Sequence, residues 1–247
     1  MKKRYKKISL CFFLIFLLLY QNSCNSDCLK AVGEIDSAEI SLSTFEYLEI
    51  YDIFDVHIIQ DTLHSLKIVT NSTLLKNIEV VQNDSVVVIN DLNKCYFARK
   101  DGISIKLYVT CSNLKQLIFY NASTFYSIDT LYFNRFLFRA YNKLAFADFV
   151  VSSEDHLFVE MWNIFGDVSV AGKSKYLSII NHGSSYIKAH NLSAMYANVT
   201  QRSTGDVTVN VSDKLTAIIL DIGNVYYAGN PELDTISRNK GRFIKLN

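Results

Sequence analysis

Proline is almost missing from this 247-residue chain, with Pro231 the single one. Val, Ile, Phe and Tyr are spread evenly, so no linker or low-complexity segment divides the chain and one domain is expected. Also missing is an apolar run long enough to cross a bilayer: the run from Ile8 to Tyr20 has 13 residues, against the about 20 that a spanning helix needs. No Cys-x-x-Cys and no His-x-x-x-His occurs, which disfavours zinc. No stripe of Lys and Arg interleaved with aromatics stands out, which disfavours nucleic acid as a partner. The expectation is therefore a chain with no metal and no cofactor.

What stands at the N-terminus is an export signal. Lys2, Lys3, Arg4, Lys6 and Lys7 precede the apolar run, and Gln21-Asn22-Ser23-Cys24 follows it, the layout of a secretory signal peptide. Ser23-Cys24 resembles the end of a bacterial lipobox, although Gln21 departs from the usual aliphatic residue. Residues 1–23 are thus expected to be removed and Cys24 lipidated, anchoring the protein to a membrane, since a lipidated Cys carries more than one acyl chain and holds stably. Residues 24–44 read as a tether and 45–247 as the folded domain. The signal carries five of the 25 basic residues against 24 acidic ones, so the mature chain is mildly acidic.

The signal takes Cys11 and the lipid takes Cys24, which leaves Cys28, Cys95 and Cys111. From Ile103 to Cys111 apolar and polar residues alternate, which places Cys111 on a buried face as a small hydrophobe. Cys28 and Cys95 both sit in polar, irregular surroundings. In an oxidising compartment these two are the expected disulfide, with three free thiols the alternative.

The chain is organised by its second half, where an apolar strand, a Gly or Ser turn and a second apolar strand recur. The turns fall at Gly166, Ser184, Gly205 and Gly223, and the strands open at Leu157, Leu177, Met195, Leu215 and Leu233. A period of about 20 residues with two strands per unit is the mark of a solenoid, whose units bury their apolar faces only by stacking. The alternation of Val207, Val209 and Val211 is that of strands. The predicted class is all-β, a single-stranded β-helix (β-solenoid) with coils of about 20 residues, and a β-sandwich is the second choice. Glycine at the turns supplies a positive φ or a close approach, and Asp167, Asp206 and Asn224 after it can cap the turn. Earlier, Phe45 to Gln60 reads as two strands around Tyr51-Asp52-Ile53-Phe54. No helix is predicted anywhere. The aromatics crowding residues 119–141 are expected to be core or stacked ladders, with some facing out.

Candidate chemistry is sparse. Asp167 and Asp206 share a turn position but stand two coils apart, roughly 10 Å, too far to converge on one calcium ion. His182-Gly183-Ser184-Ser185 could pair a nucleophile with a base, but no orienting acid is identifiable. His57, His64, His156 and His190 read as isolated surface or edge residues, and Glu154-Asp155-His156 as a polar corner. The strands at the N-terminal end and the segment from Gly241 to Leu246 read as caps for the solenoid ends. No catalytic residue is assigned.

Read in order, Phe45-x-x-Leu48-x-Ile50, Phe54-Asp55-Val56-x-Ile58-x-Gln60, Tyr108-Val109-Thr110-x-x-Asn113-Leu114 and Gly223-Asn224-Val225-Tyr226-Tyr227-x-Gly229-x-Pro231 resemble the head-GIN domain family of exported bacterial proteins described as putative auto-transporter adhesins. The resemblance spans Phe45 to Lys245. It implies a right-handed β-helix with Gly-Ser-Gly turns between two sheets, and a role at the cell surface without established catalytic residues. It also supports the pairing of Cys28 with Cys95. Where the family reads Gly-Ser-Gly, this chain reads Ile164-Phe165-Gly166, Ser203-Thr204-Gly205 and Asp221-Ile222-Gly223. The triplets Asp36-Ser37-Ala38, Asp61-Thr62-Leu63, Asp84-Ser85-Val86, Asp129-Thr130-Leu131 and Asp234-Thr235-Ile236 resemble bacterial O-glycosylation sites. The expected function is a non-enzymatic envelope lipoprotein that binds glycans or surface proteins. A polysaccharide-degrading β-helix enzyme and a structural module of the envelope are the alternatives.

Overall fold

The computed structural model describes residues 33–93, 104–141 and 143–246. Cys24, Cys28 and Cys95, with the expected signal peptide of residues 1–23, lie outside the described residues. In chain order the early strands are β1 (Ile35–Ser41), β2 (Tyr47–Ile50), β3 (Asp55–Gln60), β4 (Ser65–Asn71), β5 (Ile78–Asn83), β6 (Val86–Asp91) and β7 (Lys106–Cys111). There follow β8 (Gln116–Phe119), β9 (Ser123–Ser127), β10 (Leu131–Tyr141), β11 (Leu144–Ser203), β12 (Val207–Ile219), β13 (Val225–Ala228), β14 (Glu232–Ser237) and β15 (Phe243–Lys245). A single helical turn, α1 (Ser72–Leu75), is the one helix among the described residues. The sequence did not announce it, because its signal is one N-cap, Asn71, whose side chain accepts the N–H groups of Thr73 and Leu74.

Coils stack as parallel strands, so the molecule is the expected β-solenoid. Leu48 pairs with Leu117, Leu117 with Phe138 and Phe138 with Val159, and all four side chains are fully buried. Later coils stack in the same parallel way, Ala197 on Leu215 and Leu215 on Leu233. Met195, read from the sequence as the strand opener, is instead 43% exposed, and Ala197 two residues on takes the inward place. The 60-residue stretch β11 runs through several coils, with positive φ at Asn163, Gly172 and Gly183 and register shifts against β12 after Ala189 and Ala194.

Coil length follows the size of what the coil encloses. In the N-terminal half the interior holds Phe119, Phe125, Phe136, Phe138 and Phe149 in edge-on and stacked contacts. There Phe136 pairs with Leu157, and Arg139 on the same strand bonds Glu160 one coil and 21 residues on. In the C-terminal half Val207 pairs with Val225 and Val225 with Phe243, around Val209, Leu215 and Ala217. The coil there is shorter, since Asp206 meets Asn224 one coil and 18 residues on. Interiors pack at crystal-like density, so smaller side chains require a shorter perimeter.

The N-terminal end departs from sequential stacking. Strands β6 and β7 follow β2 and β3 in the chain, yet they lie on the opposite side of them from β8 and β9. This extra coil is then closed by antiparallel strands, β5 on β6, β4 on β7 and β1 on β4. Antiparallel strands cannot continue a parallel stack, so they end it and cover an edge that would otherwise invite pairing. The turn from β5 to β6 uses Asp84 at φ 49°, a conformation that Asp tolerates. The stretch read as a tether therefore includes a strand, since β1 is paired along its whole length with β4.

Candidate functional site

The solenoid interior is filled mainly by apolar side chains, with Asn181, Ser185, Gln201 and Ser203 buried among them, which leaves the outward faces to meet anything else. On the face formed by β2, β8, β10 and the paired part of β11, called the first sheet, outward residues line up coil over coil. One row is Tyr47, Gln116, Leu137 and Phe158; the next is Glu49, Ile118, Arg139 and Glu160. A third carries Tyr51, Tyr120, Tyr141 and Trp162, with ring centroids 4.3 Å apart for the first pair and 5.6 Å for the second.

Rings stacked at these distances turn their faces to each other and only their edges to solvent. The ladder therefore stiffens the sheet rather than offering flat rings to a ligand. Tyr51 donates its hydroxyl to Glu49 Oε2 at 3.1 Å. Burial first, and the bond to Glu49 second, push its phenol up to about 12. A second ladder stacks His156 on Phe158 at 3.9 Å, Tyr176 on His156 at 5.5 Å and Tyr196 on Tyr176 at 5.1 Å. A third holds His57 between Tyr108 and Tyr126 at 4.8 and 5.4 Å.

Beside the first ladder a groove of about 610 Å³ opens, lined among others by Tyr47, Lys115, Gln116, Arg139, Phe158 and Glu160. Its floor is the Tyr47 row and its polar wall is a fixed ion pair. Arg139 Nε donates to Glu160 Oε2 at 2.6 Å, and Trp162 Nε1 donates to the same oxygen at 3.1 Å. The bond to Glu160 raises the Arg139 guanidinium above its ordinary range. Lys115 bridges to Glu46 at 2.7 Å on the rim. Arg135 lies over the Phe158 ring at 5.6 Å and 3.6 Å from Asp155. Such a surface, apolar along one row with ordered charges along the next, suits an extended ligand held by shape and a few directed polar contacts.

The residues singled out in the sequence fall elsewhere. Gly166 has φ 152°, and a Cβ there would sit 1.9 Å from Ala145 O. Gly205 and Gly223 have no positive φ; a Cβ would meet Ser185 O at 2.4 Å and Gly205 O at 2.2 Å, so close approach of successive coils requires them. The turn carboxamide and carboxylate do not cap locally as expected: Asp206 Oδ1 accepts from Asn224 N, and Asn224 Oδ1 from Arg242 N, each one coil on. Asp167 Oδ2 accepts from Lys188 Nζ at 3.2 Å. Ser185 donates to Asn181 at 2.5 Å, not to His182, which lies by Trp162. The histidines are not isolated: His57 and His156 are ladder rungs, and His64 Nε2 lies 3.1 Å from Ser112 Oγ. Cys111 is free and buried, as the alternation from Ile103 implied. Of the five triplets, Asp61-Thr62-Leu63 is exposed throughout, whereas Ser85 and Thr235 are half-buried.

Among the described residues no group of three or more His, Cys, Asp or Glu could hold a metal ion, and no helix is long and apolar enough to cross a membrane. The groove rows were missed in the sequence, yet their signal is there. Gln116, Leu137 and Phe158 recur at one fixed interval, as do Tyr120, Tyr141 and Trp162, and it is the 21-residue step from Arg139 to Glu160.

The sequence model of the family described as "Putative auto-transporter adhesin, head GIN domain" matches residues 44–231. Solved structures share the fold at low identity. A putative adhesin from Bacteroides fragilis is 18% identical with TM-score 0.78, over 86% of this chain and 97% of its own. A putative adhesin from Parabacteroides distasonis is 18% identical with TM-score 0.60, over 87% and 98%. A protein from the same organism named putative lipid binding protein is 19% identical with TM-score 0.61, over 87% and 98%. No curated protein matches this chain.

Proposed function

Because this chain belongs to the head GIN domain family of putative auto-transporter adhesins, we propose that it is an exported, lipid-anchored binding module of the cell envelope. It acts by adhesion and carries out no catalysis. The observation that carries this reading is the groove on the first sheet, where an apolar row and a charged row run in register over four coils beside a stacked aromatic ladder. A rigid, repeating outward face is suited to a partner that is itself extended, such as a glycan chain or a strand of a surface protein. Against catalysis stand the occupations of the candidate groups. Asp206 is committed to the backbone of the next coil, Ser185 to Asn181, and His57 and His156 to their aromatic neighbours.

Anchoring follows from Cys24 after the short apolar run. A Cys24→Ser change should abolish acyl labelling and move the protein from the membrane to the soluble fraction. Unchanged fractionation together with an unmodified Cys24 in the wild-type protein by mass spectrometry would overturn the anchor. For the binding reading, the mature protein should be screened against arrayed glycans and matrix proteins. Retention without turnover is expected, while release of oligosaccharides, abolished by one carboxylate change, would make it an enzyme.

A further inference from the structure

At the C-terminal end of the solenoid the charge is sorted. From Thr235 to Leu246 there is no acidic residue, and Arg238, Lys240, Arg242 and Lys245 are all exposed. Arg238, Lys240 and Arg242 flank the last corner, between β14 and β15, and make no ion pair among the described residues. Lys245 Nζ is held by Asn230 Oδ1 at 2.6 Å. Earlier coils balance or lack this charge at the same corner: Arg202, exposed and in the column of Arg238, is accompanied by Asp206. The register sets Arg242 in the column of Asp206 and Asn224, and the preceding corner carries Asp221. The fold therefore does not impose a basic corner; the last coil introduces it. Among the described residues, strands β14 and β15 each have a partner on one side only. Charge on such edges discourages stacking of another chain, but either sign would do that, and here a single sign is concentrated.

We propose that this corner, Arg238, Lys240 and Arg242, is a docking site for a linear acidic polysaccharide, a polymer carrying uronate or sulfate groups. Charge complementarity names the ligand's sign, and the distribution of charge names its shape. The other part of the same coil carries Glu232, paired with Lys214 at 3.1 Å, and Asp234. A flat anionic bilayer approaching the end would meet these carboxylates as well, whereas a chain laid along the last corner meets its three cations first, with the half-buried Asp221 one coil behind them. Two copies facing end to end would bring the basic corners together, which like charge opposes. The site also lies at the opposite end of the strand order from β1 and β5, so a ligand there is clear of the end from which residue 33 begins. This inference deepens the binding-module reading by naming a ligand class, on a surface separate from the groove of the first sheet.

The test uses the mature protein with heparin and polygalacturonate as acidic probes. Dextran is the neutral control, and phosphatidylglycerol vesicles and a DNA oligomer are the competing anions. The wild type should bind both acidic polymers but not dextran, with affinity falling as salt shortens the reach of the charges, about 10 Å at 0.1 M. Arg238→Ser/Lys240→Ser/Arg242→Ser should weaken binding at least tenfold at an unchanged melting temperature. Arg238→Lys/Arg242→Lys should retain it, and Glu232→Gln/Asp234→Asn should tighten it. Equal binding by the triple-serine protein, tighter binding to vesicles or DNA than to either polymer, or no retention on either polymer would overturn the proposal. If the acidic polymers fail while arrayed ligands still bind through the first-sheet groove, this site falls and the binding-module reading stands.

Discussion

Asp206 Oδ1 accepts the backbone N–H of Asn224 at 2.7 Å, and Asn224 Oδ1 accepts that of Arg242 at 3.0 Å, each partner 18 residues further along. A side chain at this corner thus stitches its own coil to the next. Asp206→Ala and Asn224→Ala should each lower the free energy of unfolding by about 1 kcal/mol, the usual net value of one hydrogen bond. Urea denaturation measures this, and unchanged midpoints for both would show that these bonds contribute nothing to the stack.

The glycines at the corner are required by space. A Cβ on Gly223 would stand 2.2 Å from Gly205 O and 2.6 Å from Ser203 O, and backbone carbonyls held in a ladder cannot step aside. Gly223→Ala should therefore destabilise the protein by about 1–3 kcal/mol, as overpacking does. Because φ is not positive there, Gly223→Asn should be no better tolerated than Ala. Recovery of stability with Asn, which accepts left-handed backbone, would mean that conformation rather than space decides.

Burial pushes the Cys111 thiol up to about 12, so it is neither accessible nor ionised at neutral pH. Only the thiolate reacts. Iodoacetamide at pH 8 should leave Cys111 unmodified in the native protein and label it in urea, as peptide mass spectrometry would report. Rapid labelling without urea would contradict the inward assignment.

Two ladder histidines make stability depend on pH. Burial is the first cause that lowers the His57 and His156 imidazoles below their ordinary 6.5. At His57 the Asp55 carboxylate opposes this and Lys106 adds to it; at His156 Arg135 adds to it and Asp155 opposes it. The unfolded chain then takes up protons before the native one, so stability is lost as pH falls from about 6.5 toward the lower native values. Melting temperatures measured from pH 8 to 5 should decline on the acid side. His57→Phe/His156→Phe should flatten that decline while keeping the rings stacked. An equal decline in the double variant would place its origin in other groups.

How much of this was legible in the sequence depends on which face a residue occupies. Inward positions announce themselves, because burial demands apolar side chains: the alternation at Val207, Val209 and Val211 and the Cys111 assignment both match the structure. The coil inserted out of order, β6 with β7, was not legible, because strand order is fixed by hairpin and loop paths that leave no periodic mark. The drift of coil length, from the 21 residues between Arg139 and Glu160 to the 18 residues between Asp206 and Asn224, hid the Tyr47 and Arg139 rows. A search at the period of the C-terminal corners slips out of register with them, although the step within the rows from β8 onward is constant. The histidines misled for a similar reason. His156 is alone in sequence but has Phe158 and Tyr176 as stacking partners, the latter a coil away. The corner glycines were found, but whether φ or close approach required them depends on the neighbouring coil.

The claim that matters most is that the outward rows of the first sheet bind a partner collectively. The direct measurement is the affinity of the mature protein for whichever arrayed ligand it retains, compared with Tyr47→Ala/Arg139→Ala/Phe158→Ala and with single replacements of Asp167, Asp206, His57 and His156. The account predicts at least a tenfold loss for the triple variant, near-wild-type affinity for every single one, and a ligand recovered intact after prolonged incubation. Full affinity in the triple variant, or a ligand cleaved by the wild type and spared by one single replacement, would contradict it.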